Sequence, residues 1–326
     1  MKKNYACTLI LFVFLCCVAC VNQPKPAAPA DEVRKENFVF AIKGTDTLSL
    51  DKYELPSVAM AEKKPVMFFA FGGGFKGGDK ARWDYIPYFH FLARNGFVVI
   101  STDYRTALKN LDPTKITSVM DFMPILQNAI DTAVEDFYDA TLYVINQGNA
   151  WNIDPGQIAI SGSSAGAITV LQAEYYLCNG GELANRLPAD FNYAGVISYA
   201  GAVSSQAFPT WNRMPCPIML FHGTADKTVP FEQAAIKDLG GLWGSASVAR
   251  SLEDLGASYY FYKVGNAGHE IADLPMGRDR YAVMEFLTRQ VLGGEKLVVT
   301  TDERVPGDTI RRTELTIQDY IQDNLR

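Results

Sequence analysis

The segment Gly162-Ser163-Ser164-Ala165-Gly166 carries the residue types and spacing best able to do chemistry. Glycines two places before and two places after a serine let the chain turn sharply from a strand into a helix, and the turn pushes the serine oxygen out at the strand's carboxyl end. The helix N-terminus that follows favours negative charge developing there. The context agrees. Apolar Gln157 to Ser161 precedes the turn, and Ala165 to Cys178 has helical composition. Ser163 is out of register with the pattern, so Ser164 is the candidate nucleophile. The competing reading is a Gly/Ser turn without chemistry, and partners for the serine decide between them.

A serine needs a base to take its proton. The chain has three histidines, His90, His222 and His269. His90 sits among Tyr88, Phe89 and Phe91 and reads as packing. His222 ends a predicted strand and precedes the expected acid. His269 closes Gly265-Asn266-Ala267-Gly268-His269, a loop just past a predicted strand, where a base can hang over the serine. It is the candidate base. The third member must orient the imidazole and stabilise its charged form. Asp226, in the loop His222 to Pro230, is the candidate acid. Asp254 reads as a helix-surface acid, while Glu270 and Asp273 are too close to His269 in sequence to be preferred.

Attack on a carbonyl makes an oxyanion, which needs N–H donors already in place. Ala165, the residue after the serine, offers one. Gly72-Gly73-Gly74-Phe75 follows a long apolar run, and glycines let backbone N–H groups approach a substrate closely. A phosphate-cradling loop would want Lys-Ser/Thr at fixed spacing, which Lys76-Gly77 does not supply.

With these motifs in place, the chain resembles the carboxylesterase and hormone-sensitive-lipase-like branch of the α/β-hydrolases. The resemblance rests on Phe71-Gly72-Gly73-Gly74-Phe75, Asp103-Tyr104-Arg105, and Asn152-Ile153-Asp154-Pro155 leading into Ser161 to Gly166. His222-Gly223-Thr224-Ala225-Asp226 and Gly268-His269 complete it. The order Ser164, Asp226, His269 is that of the α/β-hydrolases. The resemblance implies oxyanion donors at Gly73, Gly74 and Ala165, ester hydrolysis through an acyl-enzyme, and no cofactor or metal. It points to Phe75 and Tyr104 as candidate pocket residues. One departure stands out: the family usually has His where this chain has Phe71. For Arg105 a purely structural salt bridge is an equal reading. A serine peptidase on the same fold and a non-catalytic binding protein are the rival functions.

The elements that must position these residues alternate. Strands are predicted at Phe38 to Ile42, Thr47 to Leu50, Pro65 to Phe71, Phe97 to Ser101, Gln157 to Ser161, Ala194 to Tyr199, Pro217 to His222 and Tyr259 to Val264. Helices are predicted at Arg82 to Arg94, Ile125 to Asn146, Ala165 to Cys178, Val248 to Leu255 and Met276 to Leu292. This pattern is an α/β fold: a mostly parallel central sheet of about eight strands with helices on both faces. The catalytic domain is expected over 37–292. The C-terminal extension 293–326 holds a short strand at Leu297 to Thr300 and a helix at Thr316 to Leu325, with no assigned role. Three segments are candidates for a cap over the site: 106–119, 201–215 with Phe208, Trp211 and Met214, and Gly240 to Gly244.

The first residues differ in kind. Lys2 and Lys3 precede the apolar run Leu9 to Ala19, which is short for a membrane span and reads as a signal segment over 1–19. Cys17-Val18-Ala19-Cys20 resembles a bacterial lipoprotein processing site with Cys20 as the lipidated residue, although Cys17 stands where leucine is usual. Residues 20–36, rich in Pro, Ala and charge, read as a tether. The expectation is an exported protein, held at a membrane only by a lipid anchor or else secreted. With 326 residues, 48% hydrophobic and net charge −6, the chain can bury a large core and shows no basic nucleic-acid surface. Four of its six cysteines lie in the first twenty residues, and none has metal-type spacing. Cys178 and Cys216 both fall at the sheet end opposite Ser164, where a disulfide is geometrically conceivable. The substrate is expected to be a small-molecule or carbohydrate ester, of short-chain, acetylated-carbohydrate or feruloyl type.

Overall fold

The computed structural model describes residues 32–56, 62–304 and 315–325. The signal segment 1–19, Cys20 and most of the tether lie outside the described residues. In chain order the strands are β1 (Arg34–Lys43), β2 (Asp46–Glu54), β3 (Lys64–Ala70), β4 (Val98–Thr102), β5 (Ile153–Ser163), β6 (Gly195–Tyr199), β7 (Ala202–Ser205), β8 (Ile218–Gly223), β9 (Gln233–Ile236), β10 (Gly240–Gly244), β11 (Tyr259–Val264) and β12 (Val298–Glu303). The helices are α1 (Ile86–Arg94), α2 (Val119–Asn146), α3 (Ala165–Asn179), α4 (Ser245–Leu255), α5 (Leu274–Arg278), α6 (Arg280–Phe286) and α7 (Ile317–Leu325).

Nine strands form one sheet in the order β1-β2-β4-β3-β5-β6-β8-β11-β12. The β1/β2 and β2/β4 pairs are antiparallel, and β4 through β12 run parallel. The parallel strands are buried on both faces, as their unbroken apolar runs require. In β3, Val66, Met67, Phe68, Phe69 and Ala70 are all fully buried. Helices pack on both sides of the sheet. β4 lies on one side of β3 and β5 on the other, so the connections leaving β3 and β5 diverge. A crevice opens at such a reversal, outside the carboxyl ends of the strands.

Several boundaries differ from the sequence reading. Arg34, Lys35 and Glu36, expected in the tether, belong to β1. Asp154-Pro155 lies inside β5, where pairing with β3 shifts register, rather than before the strand. α2 starts at Val119, ahead of the expected Ile125, because Ser118 and Asp121 form a reciprocal capping box. The single helix expected over Met276 to Leu292 is broken at Asp279 (φ −108°, ψ 17°) into α5 and α6, and its last turn, 287–292, widens to π spacing. The strand and the helix expected in the tail are both present. β12 is the ninth strand, parallel to β11, and α7 packs its Tyr320 against Phe122 of α2 at 6.1 Å between ring centroids.

Two of the segments expected as a cap, 201–215 and Gly240 to Gly244, contribute to the body, whereas 106–119 is largely exposed. β7, β10 and β9 form a small antiparallel sheet that the sequence reading missed. Trp211 is buried against Tyr175, and its indole N–H donates to Ser251 Oγ at 3.0 Å. Phe208 packs edge-on to Trp243. The disulfide left open by the sequence is not formed: Cys178 and Cys216 are buried free thiols on either side of Glu174. Glu174 Oε1 accepts from Cys216 N at 2.9 Å and from Cys178 Sγ at 3.4 Å.

Candidate active site

Ser164 sits between the end of β5 and the start of α3, with φ 52° and ψ −117°. A non-glycine residue reaches this conformation only when its surroundings hold it there. Two backbone bonds do so: Ser164 N donates to Tyr199 O and Ile168 N donates to Ser164 O, each at 2.9 Å. Gly166 allows α3 to start against β3, since a Cβ there would lie 2.1 Å from Ala70 O.

The loop after β11 brings His269 over this serine. His269 Nε2 is 2.8 Å from Ser164 Oγ, and His269 Nδ1 is 2.8 Å from Asp226 Oδ2. A carboxylate accepts, so Nδ1 carries the proton and Nε2 is left to accept from the serine. Asp226 lies in the loop after β8. Its Oδ1 accepts from Thr228 N at 2.8 Å and Val229 N at 3.0 Å. Burial pushes its carboxyl up, but the hydrogen bonds and charges of His222 and His269 outweigh this and hold it well below the usual carboxylate range. The sequence-predicted Ser164, His269 and Asp226 thus come from three loops at one end of the sheet to form one hydrogen-bonded chain.

His222, set aside in the sequence, is a neighbour of that acid. It is fully buried, with Nε2 3.4 Å from Asp226 Oδ2 and 3.2 Å from Val229 O. A carbonyl only accepts, so Nε2 carries the proton. Nδ1 then accepts from Ser245 Oγ at 2.8 Å. No sequence spacing signalled this contact except that His222 and Asp226 bracket the same strand end. His90 is a packing residue, with its ring 6.2 Å from Tyr53.

The glycine loop follows β3. Gly73 has φ +139°, and a Cβ there would meet Gly77 O at 2.1 Å. Lys76 N and Gly77 N both bond back to Gly73 O, closing the loop on itself. The N–H groups of Gly73 and Gly74 make no backbone hydrogen bond among the described residues. Ala165 opens α3, where first-turn N–H groups lack intrahelical acceptors. These three backbone groups therefore border the serine with donor capacity unused.

Phe75 and Tyr104, expected in the substrate pocket, do not line the cleft. Both are buried beneath the glycine loop. Tyr104 stacks on Phe71 at 4.3 Å and donates from its hydroxyl to Phe71 O at 2.7 Å, fixing the base of the loop. This stack occupies the place where a histidine was expected. Arg105 is structural: its guanidinium binds Asp136 and Glu135 of α2.

The cleft at Ser164 has a volume of about 410 Å³. Beyond the glycine loop and the Ser164–His269 pair, its walls include Lys76, Arg82, Thr228 and Asp273. No aromatic, leucine, isoleucine, valine or methionine side chain lines it among the described residues. Asp273 accepts at Oδ1 from Ser163 Oγ at 3.0 Å and pairs there with Arg82 at 2.7 Å. The sequence reading passed over Asp273 because it is close to His269 in the chain. That closeness is what puts it in the cleft.

Sheet order, strained serine turn and diverging loops define the α/β-hydrolase fold, and this chain has it. Solved structures of a thermophilic esterase from Thermogutta terrifontis share it. Its propionate-bound form is 19% identical, with a TM-score of 0.56 over 80% of this chain and 94% of that one. The same enzyme phosphoramylated by tabun gives 20% and 0.57 over 81% and 96%, and its apo form 20% and 0.54 over 84% and 98%. No family model matches the sequence, and no curated protein matches it.

Proposed function

We propose that the protein is a serine carboxylic-ester hydrolase of the carboxylesterase type. The observation that carries this reading is the Asp226–His269–Ser164 chain, with both imidazole contacts at 2.8 Å. His269 Nε2 takes the Ser164 proton while Oγ bonds to the ester carbonyl carbon. The N–H groups of Gly73, Gly74 and Ala165 receive the oxyanion, each contributing on the order of 3 kcal/mol. The C–O bond to the alcohol breaks, and the alcohol leaves with the proton from His269. Water then gives a proton to His269 and its oxygen to the acyl carbon, which frees the acid and restores Ser164. Asp226 stays ionised and supports the imidazolium throughout. The fold's likeness to an esterase solved with propionate supports a short acyl group. An exported, Cys20-anchored protein is part of the same proposal and is read from the sequence alone.

The test is hydrolysis of ethyl acetate and labelling by a fluorophosphonate, with Ser164→Ala as control. The expected result is turnover and labelling in the native protein, with kcat lower by about 10⁴ or more in the variant. Turnover of an aminoacyl anilide without ester turnover would favour a peptidase. Failure of Ser164 to label would end the catalytic reading.

A further inference from the structure

We infer that Tyr85, Ser163 and Asp273 are positioning residues: one run of hydrogen bonds that sets the glycine loop against Ser164 and ties both to the loop of His269. The inference deepens the proposed function and rests on Gly73 and Gly74 receiving the oxyanion.

The run starts at a single peptide. The Phe71–Gly72 peptide is gripped at both ends: its carbonyl accepts from the Tyr104 hydroxyl at 2.7 Å, and its N–H donates to the Tyr85 hydroxyl at 3.3 Å. The next two peptides carry the N–H groups of Gly73 and Gly74. Peptides are rigid planes joined at soft dihedrals, so a tilt of the first plane re-aims the donors that follow.

Tyr85 is buried, and its hydroxyl also meets Ser163. Burial pushes this phenol up, which keeps its proton in place. Ser163 Oγ donates to Asp273 Oδ1 at 3.0 Å, since a carboxylate only accepts. The serine oxygen then accepts from Tyr85. The order is Gly72 N–H, Tyr85 O–H, Ser163 O–H, Asp273 carboxylate, and each hydroxyl gives one hydrogen bond and takes one. Hydrogen bonds arranged in this way polarise one another.

Both ends of the run are fixed. A Cβ on Gly72 would stand 3.0 Å from Ser163 O and Oγ and 3.2 Å from Ser164 Cβ, so the glycine loop lies directly on the serine turn. At the far end, Arg82 Nη2 is 2.7 Å from Asp273 Oδ1, and the same guanidinium lies 3.9 Å from the Tyr85 ring centroid. Asp273 belongs to the loop of His269, with its N–H bonded to Glu270 O at 3.1 Å. The oxyanion donors, the nucleophile and the base are thereby set by one connected structure. An oxyanion needs its donors at hydrogen-bond distance from a position that the ground-state carbonyl has not reached. Loss of the run therefore falls on kcat and spares KM.

The experiment follows hydrolysis of p-nitrophenyl acetate and inhibition by methyl trifluoromethyl ketone in the native protein, Tyr85→Phe, Asp273→Ala and Asp273→Asn. Ser164 Oγ adds to the ketone carbon, its proton passes to His269, and the resulting alkoxide occupies the oxyanion position. Removing one oxyanion donor costs about 10²–10³ in kcat, and displacing the donors should cost about tenfold. Tyr85→Phe and Asp273→Ala should each lower kcat per fluorophosphonate-titrated site by that factor, weaken the ketone equally and leave KM within about twofold. Asp273→Asn keeps an oxygen acceptor for Ser163 and should recover most of the loss. Native kcat per site in Tyr85→Phe and Asp273→Ala overturns the inference, as does a loss of kcat with unchanged ketone affinity. Asp273→Asn as impaired as Asp273→Ala assigns the effect to charge and overturns it too. In each of these cases a labelled, active native Ser164 keeps the hydrolase reading. A native protein that neither labels nor turns over ester removes both.

Discussion

Replacing His222 separates support of the acid from support of the fold. His222 donates from Nε2 to Val229 O at 3.2 Å and holds the same nitrogen 3.4 Å from Asp226 Oδ2. A hydrogen bond to a charged group is worth about 1.5–3 kcal/mol, and a long, shared one belongs at the low end. A loss of about 1.4 kcal/mol in the transition state is tenfold in rate. His222→Phe should therefore lower kcat about tenfold. It should also destabilise the protein, because Val229 O and Ser245 Oγ lose buried partners. The diagnostic sign is kcat per intact active site, which a loss of packing alone would not move. His222→Gln keeps an N–H donor and should recover part of both effects. Active sites are counted by fluorophosphonate titration, so loss of folded protein is not mistaken for loss of rate. If kcat per titrated site matches the native protein while only the melting temperature falls, His222 is packing and the reasoning fails.

Tyr104→Phe removes the hydroxyl that holds Phe71 O but keeps the ring stack. It should cost about 1–2 kcal/mol of stability and lower kcat more than it changes KM; a lower melting temperature with native kcat would detach the loop's position from catalysis. Glu174 is fully buried, burial raises its pKa, and its Oε2 has no partner among the described residues. A carboxyl raised on folding binds its proton more tightly in the native state, so its cost is absent below the unfolded value near pH ~4.3 and grows as pH rises towards the folded one. Glu174→Gln should thus melt higher than the native protein at pH 7, with the gap closing as pH falls to about 4.5; a gap independent of pH would point to packing instead. Deleting 295–326 removes β12 and exposes the β11 edge. The truncated chain should melt lower and associate in light scattering, and a monodisperse product with native melting would refute the strand's structural role.

The fold was largely legible because parallel strands announce themselves as apolar runs. β11 was predicted to the residue, and β3, β6 and β8 to within one. Gly-rich and Ser-rich turns at the ends of those runs located Ser164, His269 and Asp226. Less legible were elements whose support is tertiary. β7, β9 and β10 are four or five residues long and stand only through pairing with one another. β12 was expected only as far as Thr300; its polar end, Thr301 to Glu303, carries no strand signal of its own and is held by pairing with β11. Tyr104 sits in a pocket-like motif, yet its ring is consumed by Phe71. His222 and Asp273 were discounted by sequence position, a poor guide to distance once three loops converge on one serine. The thiols at Cys178 and Cys216 were placed at the right end of the sheet, but Glu174 stands against both.

The nine-stranded sheet has two open margins, and both are finished in a way that limits its width. At one, β1 begins with exposed Arg34, Lys35, Glu36 and Asn37. At the other, β12 ends in Asp302 and Glu303, tied to Lys263 and Arg278. An unpaired row of backbone N–H and C=O groups invites another strand, and charge along it makes that addition costly. The residues that read as tether and tail are the hems of the sheet: they keep a platform built for one serine from becoming a template for a fibre.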